Sequence, residues 1–166
     1  MMYWRHVGAN GVVTSTFVDS DHAGCKAMWH SHNIGVLCYV NKVPIFWYSK
    51  YQNTVKTSTL GSEYCAMKTA IDMIKGLCYK LRMMGIPLNG STSVFCDNQS
   101  VVKNMTAPEL VLKKWHNAIA YHHAREAQAA RIIHVAWENV ETQIVDLLTK
   151  LMPGPRLKEL IGYVLW

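Results

Sequence analysis

The chain has 166 residues, half of them hydrophobic, with 17 basic against 11 acidic side chains and a formal charge of +6 at neutral pH. That length buries roughly two thirds of its unfolded surface, and no apolar run approaches the ~20 residues needed to span a bilayer, so one soluble domain over residues 1–166 is expected. The charge permits a polyanionic partner without requiring one. Cys25, Cys38, Cys65, Cys78 and Cys96 are odd in number and form no C-x-x-C pair, which excludes a complete disulfide framework and predicts reduced, buried thiols. The opening MMYWRHVGAN lacks the apolar core of a secretion signal.

In chain order, GVVTSTFV alternates and is β-branched, IGVLCYV is a continuous apolar run, and VPIFWYS follows the short connection Asn41-Lys42. Three closely spaced strands of this kind predict an antiparallel meander. From Thr59 the period changes: Tyr64, Met67, Ile71, Ile74, Cys78 and Leu81 recur along one helical stripe that should stop near Gly85 and Pro87. TSVFC reads as a short buried strand, DNQS as a polar turn, and SVVKNM as a helix. Residues from about Leu112 to Ala129 favour a helix, and IIHVAW reads as a strand. TQIVDLLTK begins a helix that Pro153-Gly154-Pro155 interrupts before RLKELIGYVL. The order β-β-β-α-β-α-α-β-α predicts a mixed α/β sheet with helices on its faces.

Acidic residues occupy four informative places in that order. Asp19 or Asp21 ends the first strand, Glu63 lies in the first turns of the long helix, Asp97 follows the fourth strand, and Asp146 begins a late helix. Functional groups in such sheets gather beyond strand ends and at helix starts. Taken singly, each acid has an ordinary explanation: a turn residue at Asp19 or Asp21, a favourable helix dipole at Glu63 or Asp146, a cap at Asp97-Asn98.

The succession D-S-D-H-A-G, W-Y-S-K-Y-Q-N, S-T-L-G-S-E-Y, F-C-D-N-Q-S, Y-H-H-A-R-E and V-D-L-L-T-K covers nearly the whole chain. It resembles the ribonuclease H domain of Copia-type retrotransposon polyproteins. The resemblance implies the ribonuclease H-like fold, a five-stranded mixed sheet with an antiparallel meander followed by parallel strands, flanked by helices. It also implies four catalytic, metal-holding carboxylates at Asp19, Glu63, Asp97 and Asp146, with Asp21 the alternate to Asp19. Two Mg²⁺ ions ~3.5–4 Å apart suit phosphodiester hydrolysis, and Mn²⁺ is an expected substitute. The implied substrate is the RNA strand of an RNA–DNA hybrid.

The ribose 2′-OH separates an RNA strand from a DNA strand, which makes Asn98 and Gln99 candidates for hydrogen bonds in the minor groove. Lys50, Gln52, Lys103 and Lys113 are candidates for backbone contacts. The parent polyprotein implies a C-terminal position downstream of a reverse transcriptase, cytoplasmic virus-like particles, no membrane contact, and a monomer for the isolated domain.

Trp29 and His30 stand near a place where the family carries paired basic residues, an extra residue precedes Gly35, His22 replaces a common aromatic residue, and Trp115 replaces a common basic one. These departures predict weaker backbone binding more than a damaged metal site. They keep open a catalytically silent or decayed domain serving as a binding module beside the polymerase. A second alternative is another nuclease or strand-transferring enzyme on the same sheet. Among eight histidines, His30-x-His32 and His122-His123 are the closest clusters, and neither has closed zinc-site spacing. His116 and His122 are expected to form hydrogen bonds within the helical region, and Trp47 and Tyr48 are expected in the core.

Overall fold

The computed structural model describes residues 11–21, 33–51, 59–107 and 118–165 of the chain. Strands β1 (Thr14–Asp21), β2 (Asn33–Val40) and β3 (Val43–Tyr51) form the predicted antiparallel meander. Asn41 turns the chain between β2 and β3 at φ 56°, a left-handed conformation that asparagine tolerates. Its side-chain oxygen accepts from the Val13 amide at 3.1 Å. Strands β4 (Thr92–Cys96) and β5 (Ile133–Trp137) extend the sheet in parallel, giving the order β3-β2-β1-β4-β5. The mixed five-stranded sheet is therefore the one expected.

Helix α1 (Thr59–Met83) buries the whole predicted stripe against one face of the sheet. It ends where expected because Gly85, at φ 73°, lets the chain turn while the Ile86 amide returns to the Leu81 carbonyl at 2.9 Å. Helices α2 (Gln99–Thr106) and α3 (Ala118–Ala129) join α1 over Val18, Val36, Val94, Ile133 and Val135. Tyr64 and Tyr121 meet edge to face with centroids 5.5 Å apart. On the other face Phe17, Leu37, Tyr39, Ile144 and Val145 form a smaller core, with Phe17 stacked on Phe95 at 5.0 Å. Each such large apolar side chain contributes about 1.5–3 kcal/mol on burial.

Four expectations change in detail. The first strand begins at Thr14, because Val12 instead pairs in parallel with Leu88 across the sheet end. Trp47 is not core: it is 69 % exposed, whereas Tyr48 packs on the α1 side. Strand β3 lies at the sheet edge, and the core on Trp47's face stops short of it. The late helix is also shorter than TQIVDLLTK suggests. A 3-10 turn at Val140–Thr142 precedes a four-residue α4 (Asp146–Thr149), because Gln143 turns inward and donates to the Val18 carbonyl at 3.1 Å. Helix α5 (Gly154–Ile161) accommodates Pro155 in its first turn, where no backbone N–H is needed.

Of the helix expected over Leu112–Ala129, residues before Ala118 lie outside the described ones, as do Cys25, His22, Trp29, His30, His32, Trp115 and His116. Cys38, Cys78 and Cys96 are buried free thiols, and Cys65 is half-buried. Among the described residues no helix is long and apolar enough to cross a membrane.

Candidate functional site

Parallel pairing places the ends of β1 and β4 side by side. Val18 is level with Cys96 at the end of that pairing, so Asp19, still paired with Gly35 of β2, stands beside Asp97, the first residue beyond β4. Alternation turns Asp19 toward α4, whereas Cys96 faces α1 and joins the core beneath it. Helix α1 presents Glu63 from its second turn at that same sheet end, and Asp146 opens α4.

One ligand atom from each of Asp19, Asp97 and Asp146 lies within 4.8 Å of the others, and the same holds for Glu63, Cys96 and Asp97. Asp97 belongs to both groups. Asp21 pairs with Asn33 at the strand end and joins neither group.

The short α4 has no side-chain cap, so tertiary contacts hold it. Gly35 admits it: a Cβ there would lie 2.6 Å from Thr149 Cγ2 and 2.9 Å from Val145 Cγ2. Asn33 Nδ2 and Ser49 Oγ each donate to the Leu148 carbonyl at 2.8 Å. Thr149 Oγ1 donates to Asp19 Oδ2 at 2.5 Å. The adjacent Lys150 places its Nζ 2.8 Å from Asp146 Oδ1, 3.5 Å from Asp19 Oδ2 and 3.9 Å from Asp97 Oδ2.

The electrostatics follow from this crowding. Asp19, Glu63 and Asp146 are only 2 %, 7 % and 7 % exposed. Burial first, then the charges of Asp19 and Asp97, push the Glu63 carboxyl well above its ordinary range. Burial, followed by the Asp19 charge, also raises Asp97. Burial pushes Asp146 up to about 6 even though Lys150 opposes the shift. For Lys150 itself, burial works against the charge, but Asp19, Asp146 and Asp97 outweigh it and hold the ammonium above its ordinary range. Glu63 Oε2 is buried with no hydrogen-bond partner. A buried carboxylate oxygen without a donor calls for a cation or a proton. The carboxylate oxygens of Asp19, Asp97 and Asp146, which converge beside it, fit a divalent ion such as Mg²⁺.

The candidates for substrate contact are less concentrated. Asn98 Oδ1 caps α2, accepting from the Ser100 and Val101 amides at 3.0 and 3.3 Å, while Gln99 is exposed at the helix start beside Asp97. Lys103 is exposed in the last turn of α2, and Lys50 is exposed on edge strand β3. Gln52 and Lys113 lie outside the described residues. The sequence reading gave no role to Lys150, Thr149 or Cys96. Only Lys150 had a local signal, since i,i+4 spacing on a helix pairs it with Asp146.

No family model matches the chain. The retrovirus-related Pol polyprotein from transposon RE1 of Arabidopsis thaliana is 31 % identical over 144 residues, which are 85 % of this chain and 10 % of that protein. The chain spans about a tenth of the length of the curated relatives it matches. Among solved structures, LC11-RNase H1 in complex with RNA/DNA hybrid superposes with a TM-score of 0.62 at 16 % identity, over 82 % of this chain and 93 % of that one. The foamy viral protease-reverse transcriptase in complex with RNA/DNA hybrid gives a TM-score of 0.57 at 13 % identity, over 90 % of this chain and 20 % of that one. With the sheet order and the motif succession, these likenesses agree: the chain is a homologue of one segment of the retrovirus-related Pol polyproteins of Copia-type transposons and has the ribonuclease H fold.

Proposed function

We propose that this chain is the ribonuclease H unit of a retrotransposon polyprotein, following the reverse transcriptase, and that it cleaves the RNA strand of RNA–DNA hybrids in the cytoplasmic particles of its parent element. The observation that carries this reading is the convergence of Asp19, Asp97 and Asp146 within 4.8 Å of one another, with a Glu63 oxygen within the same distance of Asp97. Asp19, Glu63, Asp97 and Asp146 would hold two Mg²⁺ ions, or Mn²⁺ in their place. Such a pair neutralises charge on the phosphoryl group, activates a water and stabilises the departing 3′ oxygen.

The chain's own residues prepare that centre. Thr149 orients Asp19, and Gly35 lets α4 bring Asp146 close. Gln99 is the freer candidate for the ribose 2′-OH, because Asn98 Oδ1 is engaged in the α2 cap. Lys50 and Lys103 are exposed and able to reach phosphates, with Gln52 and Lys113 proposed from the sequence for the same role. Two neighbouring folds named as complexes with RNA/DNA hybrid support the substrate class.

A labelled RNA–DNA hybrid incubated at low salt with Mg²⁺, Mn²⁺ or chelator tests the reading. Metal-dependent cutting confined to RNA is expected, and cutting or joining of duplex DNA would favour a different phosphodiester chemistry.

One observation favours a second reading, a catalytically silent binding module. Lys150 already supplies a cation to three of the carboxylates. A folded protein that binds hybrid or polymerase without metal-dependent cleavage would establish it.

A further inference from the structure

Gln143 is among the largest side chains that are buried completely, at 0 % exposure, although glutamine is a residue type found mostly on surfaces. It stands three residues ahead of Asp146, the first residue of α4. Its amide Nε2 donates to the carbonyl of Val18, the residue before Asp19, at 3.1 Å. Its own backbone carbonyl accepts from the Asp146 amide at 3.3 Å. One residue thus joins the main chains that carry two of the four acids.

The Val18 contact lies where the pairing of β1 with β4 ends, since Val18 and Cys96 are its last pair. At the other end of α4, Thr149 Oγ1 donates to Asp19 Oδ2. The four-residue helix is therefore pinned to β1 at both ends. Without the Gln143 amide, the Thr149 end stays held while the first residue, Asp146, is free to swing. Stability alone does not account for a glutamine here, because its Oε1 is buried without a hydrogen-bond partner. An apolar side chain of the same volume would avoid that cost and lose only the bond to Val18.

We propose that Gln143 is a positioning residue for the carboxylate centre. It sets the separation of Asp19 and Asp146, and through that separation the affinity for a divalent ion and the rate of hybrid cleavage. The inference rests on the nuclease reading and adds to it a residue that, being fully buried, touches no substrate.

The test compares Gln143→Met with Ile144→Val in the full chain. Methionine keeps the unbranched length and removes the amide, whereas Ile144→Val only trims the small core beside it. Mn²⁺ affinity is read from the electron paramagnetic resonance of the free ion, with Tm, far-ultraviolet circular dichroism, and kcat and KM for the hybrid measured alongside. Gln143→Met should weaken Mn²⁺ binding about tenfold and lower kcat, with KM for the hybrid unchanged. Ile144→Val should lower Tm and leave Mn²⁺ affinity as it was. If Gln143→Met does not fold, Gln143→Asn, whose amide is one methylene short of the Val18 carbonyl, should give the same loss. Unchanged Mn²⁺ affinity in a folded Gln143 variant, or an equal loss in Ile144→Val, would overturn the proposal. Should the parent cut hybrid while Gln143→Met binds Mn²⁺ as tightly as the parent does, this inference alone is rejected. A Gln143-dependent Mn²⁺ affinity in a parent that cuts nothing supports the positioning of the acids while rejecting the nuclease reading, and a parent that binds no Mn²⁺ overturns both.

Discussion

Lys150 lies within 4 Å of three carboxylates and is the one basic residue recorded at that cluster among the described residues. Truncating it leaves partly buried negative charges without their counter-ion. Lys150→Met should therefore lower stability in chelator by about 1–3 kcal/mol, read as a drop in Tm. The same variant should show a larger rise in Tm on adding Mg²⁺ or Mn²⁺, because the divalent ion no longer competes with an ammonium. An unchanged metal response would show that Lys150 and the ions do not share the cluster. Asp97→Asn works in the opposite sense. It removes a carboxylate whose ionisation Asp19 disfavours, so Tm in chelator should rise while hybrid cleavage is abolished. Full activity in that variant would remove Asp97 from the site.

Elements carry these side chains to one place, and the weakest is the four-residue α4. A helix that short has no intrinsic stability in water, so its position depends on what it rests against. Gly35→Ala would put a methyl group 2.6 Å from Thr149 Cγ2 and push α4 from the sheet. The expected cost is about 1–3 kcal/mol, with a smaller metal-induced rise in Tm because Asp146 moves away from Asp97. A variant as stable and as metal-responsive as the parent would show that α4 tolerates the displacement. Helix α2 depends on a single cap, and Asn98→Ala should cost about 1 kcal/mol in thermal or denaturant unfolding. If Asn98 acts chiefly as a cap, hybrid affinity should change less in this variant than in Gln99→Ala.

The acidic cluster also sets a pH dependence for the whole molecule. Asp146 has a folded-state value of about 6 against an ordinary 3.8. Between those values the folded protein binds more protons than the unfolded chain, so this group's stabilising contribution is full below the window and is lost as pH rises through it. Glu63, pushed well above its ordinary range by burial and by Asp19 and Asp97, acts in the same direction. In chelator, the Tm of the parent protein relative to Asp146→Asn should fall as pH is raised from about 4 to about 6. A saturating divalent ion should flatten that slope, because it supports the ionised carboxylates. A relative Tm that climbs across the window would contradict the placement of Asp146 in a crowded, buried cluster.

Much of the fold was legible because local periodicity reports local structure. The stripe from Tyr64 to Leu81 names a buried face that α1 buries, whereas GVVTSTFV marks a strand whose two faces are both buried because β1 is central in the sheet. The ordered motifs were equally informative about the family and about which acids to watch. The sequence could not say whether a strand ends at an edge, and so Trp47 was expected in the core although its face is uncovered. Nor could it show that Gln143 would turn inward and cut the late helix to one turn. Such outcomes depend on contacts between distant segments: Thr149 meets Asp19 across 130 residues, and Cys96 faces Glu63 only because α1 crosses the end of β4. Residue types and their order were thus determined by the sequence alone. The crowding that leaves Glu63 orphaned, raises Asp146 and draws Lys150 inward was decided by tertiary packing, because burial and charge proximity exist only once the sheet is assembled.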